Sequence, residues 1–138
     1  MDIDFEHDTK LRVRYGETDQ MGYCYYGNYA QYFEVGRVEA MRQVGMSYKE
    51  LEKLGVMLPV SEFQVKYITP ALYDDELTVI TKITKLKGVR LYFEYEIYNE
   101  NKDLVCKAST VLVFVSKDTM KPIQPSDQFT SLISKYAK

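Results

Sequence analysis

The stretch that decides the fold is Asn28–Gly45, NYAQYFEVGRVEAMRQVG, because it is the long segment with helical periodicity. Side chains recur in it at intervals of three and four residues, which places them on one face of a helix. This stripe consists of Tyr29, Tyr32, Phe33, Gly36, Arg37, Ala40, Met41 and Val44. Asn28 is a favourable N-cap with Gln31 at the reciprocal position, and Gly45 suits the end of the helix. We therefore predict a long helix with this stripe on a core. Gly36 costs about 1 kcal/mol relative to Ala in a helix, which indicates close approach to a sheet.

The segments on either side have the alternation of strands. Upstream, Lys10–Tyr15 alternates apolar and basic side chains. Downstream, Ser47 and Glu50 form the signature of a short capped helix that Gly55 ends. Four strand-like segments follow, at Phe63–Tyr67, Leu77–Lys87, Val89–Tyr98 and Val105–Val115, and then a short amphipathic C-terminal helix around Phe129–Tyr136.

The order strand, long helix, short helix and four strands predicts an α+β protein. Hairpin-length turns between the last four strands predict an antiparallel meander. The segment Val111–Val115 is apolar on both faces, which indicates a central strand. One long helix cannot cover both faces and edges of a five-stranded sheet, so we expect a second copy of the chain to cover the rest.

Length and composition limit the function classes. The chain has 138 residues and a mass of 16.2 kDa, which fits a single domain over residues 1–138. Lys and Arg number 18 against 20 Asp and Glu, so there is no broad basic surface for nucleic acid. No segment is apolar enough to span a membrane, and Met1–Glu6 lacks the features of a signal peptide, so we expect a cytoplasmic protein. One His and two Cys are too few for a zinc site, and we expect no metal and no cofactor.

The loop Gly16–Gly27, between the first strand and the long helix, carries the candidate chemistry. It contains the carboxylates Glu17 and Asp19, several tyrosines, and the start of a helix. Free N–H groups at a helix start stabilise a developing oxyanion, and a carboxylate beside them can attack an acyl carbon or activate water. The alternative is that Asp19 only forms an Asx turn.

These residues carry a family resemblance. Arg14-Tyr15-x-Glu17-Thr18-Asp19-x-x-Gly22, followed by Asn28-Tyr29, resembles the hotdog-fold acyl-CoA thioesterases, especially the 4-hydroxybenzoyl-CoA and Tol-Pal-associated groups. Later markers agree with it: Tyr67-Ile68-Thr69-Pro70-Ala71, Asp74-Asp75 and Pro122. The resemblance implies a long antiparallel sheet wrapped around one central helix, assembled as a homodimer or homotetramer, and metal-independent hydrolysis of acyl-CoA.

The resemblance also assigns roles to residues. Asp19 matches the catalytic carboxylate, as nucleophile or general base, and Gly22 matches the loop glycine. Tyr26 lies where the family supplies a backbone N–H to the thioester oxygen, although many relatives have His there. We expect Tyr25 and Asn28 to contribute to substrate binding. Lys85, Lys87 and Arg90 flank a turn. They either bind the phosphates of coenzyme A or form a charged hairpin tip that counters aggregation.

Other residues are weaker candidates. We expect Glu17 to be a solvated loop carboxylate, Cys24 a buried filler without a base beside it, and His7 a solvated residue of an N-terminal tail. Tyr29 and Tyr32 follow the helical period and are expected in the core, although Tyr23, Tyr25, Tyr29 and Tyr32 could instead line an acyl pocket. The rival functions are a non-catalytic acyl-CoA-binding module, a structural dimerisation domain, and a dehydratase, which His7 alone does not favour.

Overall fold

The computed structural model describes all 138 residues, Met1–Lys138. A long first strand leads through a loop into one long helix, and four further long strands follow. The elements are β1 (Asp2–Arg12), α1 (Tyr29–Val44), α2 (Tyr48–Lys53), β2 (Val56–Met57), β3 (Val60–Tyr67), β4 (Glu76–Lys87), β5 (Arg90–Tyr98), β6 (Leu104–Val113), β7 (Val115–Ser116) and α3 (Asp127–Ser134). Two 3₁₀ turns, Tyr15–Glu17 and Tyr26–Asn28, lie in the loop before α1.

The main sheet has the order β1-β4-β5-β6-β3, with every neighbouring pair antiparallel. The predicted five-stranded antiparallel sheet and long helix are confirmed, and β6 is internal as expected. The predicted meander holds only for β4, β5 and β6. β3 pairs with β6 and not with β4, so the segment between β3 and β4 crosses from one side of the sheet to the other. Turn length does not reveal this, because a short segment can also connect strands that are not neighbours.

The first strand is longer than predicted. β1 begins at Asp2 and ends at Arg12, so it also stops three residues before the predicted end at Tyr15, which is exposed and lies in a 3₁₀ turn. His7 is a half-buried strand residue opposite Thr81 of β4. The expectation of a solvated tail is wrong. Ile3 and Phe5 alternate with acidic residues and bury their side chains against the core, which holds the segment in the sheet.

Helix α1 lies on one face of the sheet, and all eight residues of the predicted stripe are buried. Gly36 explains how closely it packs. A Cβ added there would lie 2.4 Å from Thr81 Oγ1 and 2.9 Å from Val79 Cγ1, both on β4. The predicted close approach of helix and sheet is confirmed.

Helix ends are only partly as predicted. Gly45 ends α1 with a φ of 114°, and Ser47 and Glu50 form the expected capping box at α2. Asn28, however, has helical backbone angles and no capping hydrogen bond. The 3₁₀ turn that begins at Tyr26 continues into α1, so the chain is already helical at Asn28, and the Asn28–Gln31 box is wrong.

Strand β3 forms an edge of the sheet and pairs only with β6. Val60, Phe63 and Tyr67 on this strand are all more than two-fifths exposed. Edge strands of natural proteins usually have protecting charges or a cover. β3 therefore presents exposed apolar side chains and one unpaired backbone edge, the features of a surface that another chain can cover. No helix in the chain is both long and apolar enough to cross a membrane.

Candidate active site

Main-chain hydrogen bonds fix the conformation and the position of the loop between β1 and α1. Thr18 and Cys24 form an isolated antiparallel bridge, and the Asp19 N–H donates to the Tyr23 carbonyl at 2.8 Å. The Cys24 N–H donates to the Ala71 carbonyl at 2.7 Å, which ties the loop to the segment between β3 and β4. The loop is thus a small hairpin with a fixed place beside the end of β3.

Asp19 lies at the first corner of this hairpin. Its Oδ1 accepts hydrogen bonds from the N–H groups of Met21 at 2.9 Å and Tyr23 at 3.3 Å. Gly22 has a φ of +79°, which glycine adopts easily, and its N–H donates to the Asp19 carbonyl at 3.0 Å. The Asx turn of the alternative interpretation is therefore present. It fixes Oδ1 and leaves Oδ2 without a hydrogen bond from the protein, so the turn and a chemical role are compatible.

Tyr26 is the first residue of the 3₁₀ turn that continues into α1. The N–H at this position has no acceptor within the turn, and no other backbone carbonyl accepts from it. The Tyr26 side chain is 63% exposed and contacts the ring of Tyr67, whose hydroxyl donates to the Tyr26 carbonyl at 3.4 Å. A free donor at the start of a helix is suited to an oxygen that gains negative charge.

Asp19 and Tyr26 both line one cleft of about 240 Å³. Its walls come from the loop, the start of α1 and the end of β3. The remaining lining residues are Met21, Tyr23, Cys24, Tyr29, Tyr67, Ile68, Thr69 and Pro70. Most of the lining residues are hydrophobic; Asp19 is the residue with the free carboxylate oxygen, Tyr26 the one with the free N–H, and Tyr67 is the last residue of the edge strand β3.

Glu17 is buried, at 8% exposure, so the expectation of a solvated carboxylate is wrong. Its Oε1 accepts hydrogen bonds from the Arg14 N–H and the Tyr32 hydroxyl, both at 2.9 Å, and Oε2 accepts from Arg14 Nη2 at 3.1 Å. Burial acts to raise the pKa of this carboxyl, but the hydrogen bonds from Arg14 and Tyr32 outweigh it and lower the pKa below its ordinary value. Glu17 is therefore ionised at neutral pH.

The hydrogen bond from the Tyr32 hydroxyl to Glu17 bears on whether Cys24 is a thiol or a thiolate. Tyr32 has one hydroxyl proton and donates it to Glu17, so the contact of 3.3 Å between Tyr32 and Cys24 Sγ is a hydrogen bond only when the thiol donates; the Tyr25 carbonyl, 3.7 Å from Sγ, is the second acceptor within reach of the thiol proton. Burial raises the pKa of the Cys24 thiol, and the Glu17 charge raises it further. Cys24 is a buried thiol, as expected, and its raised pKa disfavours the thiolate that a nucleophile requires. Tyr29 and Tyr32 are buried as core residues, and Tyr29 also forms part of the cleft wall.

Two residues expected to bind substrate lie outside the cleft. The Tyr25 ring packs on Tyr26 with centroids 4.8 Å apart and covers Gly27. Asn28 Nδ2 donates to the Glu17 carbonyl at 2.8 Å. Both therefore support the loop and do not line the cleft.

The basic residues Lys85, Lys87 and Arg90 lie at the far end of the sheet. In the pairing of β1 with β4, Arg12 is opposite Glu76, next to the loop, whereas Lys85 is opposite Asp2. At the rise of a strand, Lys85 is about 30 Å along β4 from Glu76. The structure does not bring these residues together with Asp19 within one chain.

The far wall of the cleft was not among the predicted site residues. Met21, Tyr67, Ile68, Thr69 and Pro70 line it. A signal was available, since Tyr67–Ala71 is one of the family markers, and the isolated bridge between Tyr23 and Leu72 places that segment beside the loop. No group of three or more His, Cys, Asp or Glu side chains is placed to hold a metal ion.

Comparison with known proteins places the chain among the thioesterases by sequence and by fold. The sequence profile described as "Thioesterase-like superfamily" matches residues 13–132. The Bacillus subtilis protein YneP, named provisionally as an acyl-CoA thioesterase, is 36% identical over 129 residues, 94% of each chain. The acyl-CoA thioester hydrolase YbgC of Escherichia coli is 34% identical over 112 residues, 81% of this chain and 84% of that protein. The crystal structure of a DHNA-CoA thioesterase from Staphylococcus aureus is 36% identical and superposes with a TM-score of 0.91, covering 95% of this chain and 90% of that one.

Proposed function

Because the chain belongs to the thioesterase-like superfamily, we propose that it hydrolyses the thioester bond of an acyl-coenzyme A in the cleft beside Asp19. The family resemblance predicted from the sequence is thereby confirmed. The observation that carries the proposal for this site is that one mostly apolar cleft is lined both by Asp19, which has a free carboxylate oxygen, and by Tyr26, which has a free N–H at a helix start.

Each group has a defined task in this proposal. The thioester carbonyl oxygen accepts a hydrogen bond from the Tyr26 N–H, which stabilises the negative charge that the oxygen gains during attack. Asp19 Oδ2 either removes a proton from the attacking water or attacks the carbonyl carbon itself, forming an anhydride that water then cleaves. In both routes the C–S bond breaks, the sulfur leaves with the bond electrons and takes a proton, and water supplies the carboxylate oxygen of the product.

Two substitutions test these roles separately. Asp19→Asn keeps Oδ1 as the acceptor of the Asx turn and removes the charge, so we expect a folded enzyme with turnover reduced by about a hundredfold or more. Tyr26→Phe keeps the backbone N–H and the ring, so turnover should fall by less than about tenfold. The measurement is steady-state release of coenzyme A from one acyl-CoA, with circular dichroism as the folding control.

The outcomes are distinct. Full activity of Asp19→Asn would refute the carboxylate role. Loss of activity in a folded Tyr26→Phe would place the phenol hydroxyl in the reaction, in the position of the histidine of many relatives. Tight acyl-CoA binding by the wild-type protein without release of thiol would favour the non-catalytic binding module.

The lining of the cleft favours an aromatic acyl group. Tyr23, Tyr26, Tyr29 and Tyr67 present rings to a space of about 240 Å³, and aromatic rings pair well in edge and offset arrangements. The structural relative from Staphylococcus aureus is named for an aromatic acyl-CoA. A panel of aromatic and straight-chain acyl-CoA esters compared by kcat/KM tests this preference.

We also propose that the active unit is a homo-oligomer with the cleft at the interface between copies. Tyr67, the last residue of the edge strand β3, lines the cleft, and β3 has exposed apolar side chains and an unpaired outer backbone. A neighbouring copy would supply the missing wall. Lys85, Lys87 and Arg90 lie too far away to act in their own chain, so any contact with coenzyme A phosphates would be made in the cleft of a neighbour.

A further inference from the structure

We propose that Glu17 is a positioning residue, which holds the Asp19 carboxylate and the Tyr26 N–H at a fixed separation. This inference rests on the proposed function, because it assigns Glu17 a role through those two groups and no contact with substrate. Glu17 does not line the cleft, and it precedes Asp19 by two residues.

The main chain of Glu17 connects the two sides of the loop. Its carbonyl accepts hydrogen bonds from the Tyr25 N–H and from Asn28 Nδ2, both at 2.8 Å. These donors flank Tyr26 on either side in the sequence. The hydrogen bonds from Tyr25 and Asn28 to the Glu17 carbonyl therefore set the direction of the Tyr26 N–H, although Glu17 and Tyr26 make no hydrogen bond with each other.

The side chain of Glu17 fixes the main chain in turn. Oε1 is held by the Arg14 N–H, at the end of the segment that follows β1, and by the Tyr32 hydroxyl, one turn into α1. One carboxylate thus connects the start of the loop, just after β1, to helix α1. If Glu17 shifted, Asp19 would shift with it because the two are only two residues apart in the chain. Tyr26 would shift because its neighbours Tyr25 and Asn28 are hydrogen-bonded to the Glu17 carbonyl. The two displacements would differ, so the separation of the Asp19 carboxylate and the Tyr26 N–H would change.

Only an ionised carboxylate satisfies all of these donors. Arg14 N–H, Arg14 Nη2 and the Tyr32 hydroxyl are three donors aimed at two oxygens. Glutamine of the same shape would turn its NH₂ group either toward the Arg14 N–H and the Tyr32 hydroxyl, or toward Arg14 Nη2, whose exposed side chain can move away; in both orientations at least one hydrogen bond to the carboxylate is lost. A residue that served only to fill space would not need the charge, and burying a charge is costly without such partners.

The experiment compares Glu17→Gln with Glu34→Gln, a matched change at an exposed position of α1. We expect Glu17→Gln to reduce kcat by about tenfold or more while KM changes by less than about threefold, because substrate contacts remain and only the reacting geometry is lost. Glu34→Gln should match the wild type in both constants.

Temperature separates positioning from simple loss of folded protein. If Glu17→Gln lost activity only by unfolding, its kcat relative to the wild type would recover at 10 °C compared with 25 °C. A positioning defect persists at both temperatures in protein that retains its near-ultraviolet circular dichroism. Recovery on cooling, a kcat within about twofold of the wild type, or a loss carried by KM would each overturn the proposal.

Tyr32→Phe decides the question if Glu17→Gln does not fold. It removes one donor to the carboxylate and keeps the buried ring, so we expect kcat to fall by about threefold with KM unchanged. An unchanged kcat would overturn the proposal. Asp19→Asn, measured in parallel, tests the proposed function alone: an active Asp19→Asn enzyme refutes the carboxylate role whatever Glu17→Gln does.

Discussion

Substituting Gly36 by Ala should destabilise the protein, even though Ala is the better helix former. The new methyl group would lie 2.4 Å from Thr81 Oγ1 and 2.9 Å from Val79 Cγ1, closer than real Cβ contacts. Both neighbours belong to β4, and both are fully buried. Neither side chain can move into solvent, so α1 must move away from the sheet.

The magnitude follows from two opposing terms. Overpacking a well-packed core typically costs about 1–3 kcal/mol, and exchanging Gly for Ala within a helix returns about 1 kcal/mol. With two contacts under 3 Å the upper part of the first range applies, so we expect a net loss of about 1–2 kcal/mol. An unfolding entropy of about 2.1 cal/mol/K per residue over 138 residues converts this to a Tm lower by about 3–7 °C.

The assay is thermal unfolding followed by circular dichroism at one fixed protein concentration, since an oligomer makes Tm depend on concentration. The matched control is Thr81→Ala combined with Gly36→Ala. Thr81 Oγ1 has no hydrogen-bond partner, so its removal frees space without breaking a hydrogen bond. The double variant should recover part of the loss. A Gly36→Ala protein at least as stable as the wild type would refute the close helix–sheet contact.

Three further predictions concern the rest of the molecule. His7→Ala should keep turnover within about twofold of the wild type, because His7 lies on β1 outside the cleft; a loss of tenfold or more, about 1.4 kcal/mol, would reopen the dehydratase interpretation. Sedimentation equilibrium should give a multiple of the 16.2 kDa chain mass, and a stable, active monomer would contradict the interface cleft. The folded-state pKa of Glu17 is lowered, so its contribution to stability is complete above the ordinary value of 4.5 and is lost as pH falls through the folded-state pKa. Urea unfolding should therefore show the wild type losing its advantage over Glu17→Gln as pH falls below about 5, and a constant difference down to pH 3 would contradict the lowered pKa of the buried Glu17 carboxyl.

The long helix was predictable because its pattern is set by one local period. All eight stripe residues are buried, and Gly36 lies against β4 as its position suggested. The start of β1 was missed for a physical reason. Asp2, Asp4, Glu6 and Asp8 are poor strand formers, and only pairing with β4 and burial of Ile3 and Phe5 hold them in a strand.

Asp19 and Tyr26, which loop chemistry and the family motif single out, both line the cleft, and their roles in the reaction stay predictions. The burial of Glu17 was not predictable. It depends on Tyr32, fifteen residues away in the sequence and brought close only when α1 packs on the sheet. The pairing of β3 with β6 has the same origin, since it joins segments that no local pattern connects.

The loop that carries Asp19 is held by hydrogen bonds of its own main chain and of the Glu17, Asp19 and Asn28 side chains, whereas Ile68 lines the cleft from the segment after β3 and its side chain makes none of these bonds. Heritable change can therefore act on the two parts independently. A codon change at Ile68 alters the shape offered to an acyl group and leaves the hydrogen bonds of the loop untouched. The residues that shape the cleft can therefore change separately from the residues proposed to react. Substrate preference can change during evolution, or by design in the laboratory, while the reacting groups stay the same.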